Sequence, residues 1–160
     1  MRFPRSIAIM GILSISLGKV SICGAAWSNA SAAGTWVCVG SGYSSVKGQN
    51  GASSWVPSSF IGWYTFDGKG KCSSLKETDN TAGVVCNYTV GQGSNSYDVT
   101  SDGRINMDLT EAAAGSNPSQ CPASPPPHVT AIFQNATSLY GTQADTDASG
   151  WFICNRRSAR

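Results

Sequence analysis

The chain has 160 residues, 11 basic and 9 acidic side chains, and a formal charge of +2. A length of this order points to one domain rather than several. Leu, Glu and Lys are scarce beside Gly, Ser, Thr and Asn, which leaves little to build helices from. The chain opens on Arg2 and Arg5, an apolar run from Ile7 to Leu17, and small and polar residues up to Ala33. That is the layout of an export leader. Ala30-Ser31-Ala32 fits the small-x-small rule and places cleavage after Ala32, with a cut after Ala26 as the alternative. Residues 1–32 therefore read as a cleaved export signal peptide and 33–160 as a single domain, secreted or periplasmic. The apolar run is well short of the ~20 residues that cross a bilayer, so no membrane span is expected in the mature form. Lipid anchoring at Cys23 is disfavoured by the bulky Ile22 before it. The leader holds Arg2, Arg5 and Lys19, so the remaining chain has eight basic against nine acidic residues, formally −1. Its one basic cluster is Arg156, Arg157 and Arg160 at the tail, and no nucleic-acid partner is expected.

The segments that follow are short, regularly spaced, and rich in β-branched and aromatic residues. They predict strands at 34–40, 59–67, 69–76, 83–91, 95–101, 103–110, 128–135, 137–143 and 149–156. Asp67-Gly68-Lys69-Gly70 and Asp102-Gly103 have the chemistry of tight turns, and Asp79-Asn80 and Gly91-Gln92-Gly93 punctuate others. In 103–110, Ile105, Met107 and Leu109 alternate with Arg104, Asn106, Asp108 and Thr110, the pattern of a half-solvated sheet. Segment 60–66 carries aromatic or aliphatic residues on both faces. Residues 41–58 and 111–127 read as long loops, the second opening on Glu111-Ala112-Ala113-Ala114. Sequential hairpins without helical crossovers imply an all-β antiparallel up-and-down meander, closed into a disulfide-bonded barrel of about 8 strands. Nine predicted strands exceed an even closure by one.

Five cysteines remain beyond the leader, and an exported chain at this density suggests bridges. Cys72 and Cys86 flank Asp79-Asn80 symmetrically and would face one another in a hairpin, a bridge worth about 3 kcal/mol. Cys38 lies in the first strand and Cys154 in the last, and closure would bring them together. Cys121 is then a free thiol, available for a disulfide-linked dimer. No CxxC pair exists and His128 is the only histidine, so no metal site or cofactor is expected.

Gly34-Thr35-Trp36 opens the domain as G-x-W. If Cys38 faces Cys154 in an antiparallel pair, Trp36 faces Arg156, and an Arg stacked on that indole would form a barrel-closing pair. This arrangement resembles the calycin signature shared by lipocalin-like and avidin-like barrels. The Tyr/Phe-Asp-Gly-x-Gly hairpin is similar to that of small exported bacterial proteins of the same type. The resemblance implies a barrel that encloses a ligand.

Other chemistry is sparse. Asp145-x-Asp147-x-Ser149-Gly150 mimics the start of a calcium loop but has Arg156 where a bidentate Glu is required, so it reads as a turn. His128 reads as a surface residue at a strand edge, and no catalytic residues are assigned. Trp55, Trp63, Tyr64, Tyr140 and Trp151 are candidate ligand contacts. The expected function is non-enzymatic binding of a small apolar or aromatic molecule inside the barrel. The alternative is a protein-interaction or inhibitor module acting through 41–58 and 111–127, and an enzyme using His128 is the least favoured reading.

Overall fold

The computed structural model describes residues 26–48, 50–114, 121, 128–145 and 147–158. A four-residue helical turn, α1 (Asn29–Ala32), precedes eight strands. These are β1 (Gly34–Lys47), β2 (Ser53–Phe66), β3 (Cys72–Thr81), β4 (Val84–Val99), β5 (Arg104–Ala113), β6 (His128–Asn135), β7 (Ser138–Ala144) and β8 (Ala148–Arg156). Each strand pairs antiparallel with its sequence neighbours, and β8 pairs back onto β1, so the strand order is a closed ring. Alternation decides which side chains enter the ring. On β5, Ile105, Met107, Leu109 and Glu111 are buried while Arg104 and Asn106 are exposed.

Several expectations are corrected. Segments 83–91 and 95–101 form the single strand β4, and Gly91-Gln92-Gly93 is a bulge within it, where the register against β5 shifts between Val90 and Asn95. Asn95 holds the bulge, donating to the Gly91 carbonyl at 3.1 Å and accepting from the Thr110 amide at 3.0 Å. Eight strands result, and an even number is what antiparallel closure needs. Residues 41–58 do not form a loop. Ser41–Lys47 pairs with Ser53–Ser59, extending the β1–β2 hairpin. Of 111–127, Glu111–Ala113 belong to β5, while 115–120 and 122–127 lie outside the described residues. The loop-mediated interaction reading loses its first surface to strand pairing.

The β3–β4 turn is also displaced. It is the two-residue Ala82-Gly83, both at positive φ (52° and 88°), the geometry favoured in tight hairpins. In that register Cys86 faces Asp79, not Cys72. Cys86 is bonded instead to Cys121, across 35 residues, and Cys72 is the buried free thiol among the described residues. The expected Cys72–Cys86 bridge and free Cys121 are thus corrected, and an intermolecular bridge through Cys121 has no basis. Cys38 and Cys154 are bonded, joining first and last strands across 116 residues.

The interior is divided along its length. Near α1 it is filled: Trp36, Ile105 and Leu139 are fully buried, and Trp27 stacks on Phe133 with ring centroids 4.3 Å apart. The Arg156 guanidinium lies 4.8 Å from the Trp36 ring centre. Further along, inward glycines make room for rings. A Cβ on Gly141 would stand 2.0 Å from Phe152 Cζ, and one on Gly40 2.4 Å from Phe60 Cε1, so each ring takes space that only a glycine leaves. Outside, Ile132, Tyr140, Ile153, Val39 and Ile61 are successive register partners across β6, β7, β8, β1 and β2, and form an apolar row. Among the described residues no helix is long and apolar enough to cross a membrane.

Candidate functional site

The end of the ring far from α1 holds a cavity of about 150 Å³. Its walls combine Phe60, Phe152 and Leu109 with Glu77, Asp79 and Glu111, and among the described residues no Lys or Arg lines it. Glu77 and Asp79 sit two residues apart on β3, so the pleat sends both the same way. Glu111 comes from β5, opposite Val90. The chain contains two glutamates, and both face this cavity.

Local packing sets each group. Gly62 is the β2 partner of Glu77, and the Tyr64 ring lies over it, with an added Cβ falling 2.8 Å from Tyr64 Cε2. The missing side chain lets the Tyr64 hydroxyl reach Glu77 Oε2 and donate to it. Asp79 accepts from the Thr81 hydroxyl at 3.2 Å. Glu111 is 9% exposed, and no side chain or backbone donor among the described residues reaches it. A carboxylate taken out of water without a donor or cation is costly, so the proton is retained instead.

The acidities follow. Burial, with the charges of Glu77 and Asp79 nearby, raises Glu111 to about 9. Burial raises Glu77 to about 7, opposed by the bond from Tyr64 and assisted by Asp79. Asp79 is raised chiefly by burial, with the Thr81 bond opposing. Tyr64 stands well above its ordinary value, through burial and then the carboxylates beside it. Cys72 is raised to about 11 by burial, with its Sγ donating to the Ser74 carbonyl at 3.4 Å, which leaves an unreactive thiol.

Of the candidate ligand contacts, Tyr64 lies inside. Trp55, Trp63, Tyr140 and Trp151 are 53%, 40%, 40% and 54% exposed. Trp151 borders the cavity but keeps its side chain largely in solvent. The aromatic surplus is therefore mostly exterior, and the acidic interior was not foreseen. The signal was present: Ile105, Met107 and Leu109 set an inward parity on which residue 111 also falls. Ending that strand at 110 hid the glutamate. Among the described residues no three His, Cys, Asp or Glu side chains converge to hold a metal ion.

No family model, curated protein or solved structure matches the chain. The calycin likeness is accordingly corrected: beyond the Trp36–Arg156 contact, nothing carries it. The apolar-ligand reading that depended on it falls as well, because the expected aromatic contacts lie mostly outside and three carboxyls stand within.

Proposed function

We propose that this protein is an exported binding protein for a small organic cation, an amine held by Glu77, Asp79 and Glu111 against the aromatic wall of the cavity. The observation that carries the reading is Glu111, nine-tenths buried and lining the cavity, with no donor or cation among the described residues to answer it. An ammonium group supplies both, since each of its N–H bonds is a donor and its single positive charge answers the carboxylate formed when a carboxyl gives up its proton. Phe60 and Phe152 in the lining suit a cation with an apolar body. A cavity near 150 Å³ matches a molecule of roughly benzene size.

Calorimetry with benzylamine and its neutral isostere benzyl alcohol tests this at about pH 8.5, where about a quarter of Glu111 is already ionised in the free protein and benzylamine is still charged. Benzylamine should bind at least about tenfold tighter than the alcohol, and Glu111→Gln should remove that preference. Equal affinities, binding of neither compound, or a preference that survives Glu111→Gln would each overturn the reading.

A further inference from the structure

Residues 27–32 lie within the segment that the small-x-small rule would remove by a cut after Ala32, yet they form the floor of the fold. Ala32 is fully buried. The Trp36 indole N–H donates to the Ala32 carbonyl at 2.8 Å, and the Arg156 guanidinium donates to the Ser31 carbonyl. Asn29 serves β4 twice, accepting the Val99 amide on Oδ1 at 2.7 Å and the Tyr97 hydroxyl on its carbonyl at 3.2 Å. The Trp27 ring covers Phe133 and fills the space over Gly103, where a Cβ would fall 2.9 Å from Trp27 Cδ1. Losing these residues would take the acceptors away from a buried indole N–H and a half-buried guanidinium, and open the ring at one end.

We infer that the export leader is removed between Ala26 and Trp27, at Gly24-Ala25-Ala26, and that Trp27–Ala32 stay with the mature protein as its floor plug. Gly24 and Ala26 satisfy the small-residue requirement on either side of Ala25 as well as Ala30 and Ala32 do around Ser31. The reaction is hydrolysis by a leader peptidase. Water adds across the Ala26–Trp27 peptide bond, Ala26 leaves with the new carboxyl, and Trp27 keeps the new amine. The helical turn that follows is then free to fold under β1, with the Trp36 and Arg156 donors waiting for its carbonyls. The inference is independent of what the cavity binds.

The test is N-terminal sequencing, with intact mass, of the exported chain made from the full precursor. The expected first residue is Trp27. Ala26→Arg should leave the leader attached, whereas Ala30→Arg, at an exposed position, should be processed as before. A separate measurement does not depend on export. Chains begun at Trp27 and at Ala33 are compared by thermal unfolding, and the shorter should melt lower by about 10 °C or more. A mature chain beginning at Ala33, a chain exported with residues 1–26 attached, processing blocked by Ala30→Arg but not Ala26→Arg, or equal melting of the two chains would each overturn the inference.

Discussion

Glu111 is the residue at which the fold gives up stability. Its ordinary value lies near 4.5, and in the folded chain it stands at about 9. Between those values the native state keeps a proton that the unfolded chain has released, so stability falls as pH rises. The contribution is complete below about pH 4.5 and lost once the pH passes about 9. Glu77 adds a similar loss that ends sooner, near 7. Urea unfolding at about pH 5, 7 and 9 should therefore show a decline, steeper below 7 where both groups contribute. In Glu111→Gln the part of the decline above about pH 7 should largely vanish, and the variant should be the more stable protein at about pH 9. An unchanged slope would mean that the carboxyl is solvated. The same linkage gives the cation site its pH dependence, since an ammonium must displace those protons and so binds more tightly as pH rises.

At the scale of elements, the β3–β4 hairpin shows what sequence patterning reaches and where it stops. Asp79-Asn80 has turn chemistry, whereas Ala82 has none, so composition favours the wrong pair. The structure uses Asn80 differently: its side-chain oxygen accepts the Gly83 amide at 3.0 Å and braces the turn from the strand end. Ala82 takes φ 52°, which costs an alanine on the order of 1 kcal/mol and an asparagine less. Ala82→Asn should accordingly stabilise the protein by about 0.5–1 kcal/mol, raising the urea midpoint with an unchanged m value. A lower midpoint would show that the turn is not the left-handed pair described. Displacing the turn by three residues also explains why Cys86 meets Asp79 rather than Cys72. The β4 bulge was illegible for a related reason. Gly91 and Gly93 serve equally for a turn between strands or a kink within one, and tertiary pairing with β5 decides between them.

At the scale of the whole molecule, two pairs locate the meeting of the chain ends. Trp36–Arg156 and Cys38–Cys154 belong to one antiparallel register, and agreement of two unlike pairs is informative where either alone is weak. The direction of the acidic side chains was harder to read, because polar residues ordinarily mark the wet face of a strand and here mark a cavity. The ladder between β1 and β8 runs from Trp36↔Arg156 to Ser44↔Ala148, and the Cys38–Cys154 bridge fixes it across 116 residues of chain. In the chain-entropy account a loop of that size stabilises by about 4.7 kcal/mol. Replacing both cysteines by alanine should lower the melting temperature by roughly 10–20 °C. Hydrogen exchange should quicken first in β1 and β8, which lose the crosslink, before the β4–β5 ladder, which does not depend on it. The paired backbone remains, so the double variant should still fold at low temperature and keep its amine preference. Uniform loss of protection in every strand at once would show instead that the seam is no weaker than the rest of the ring.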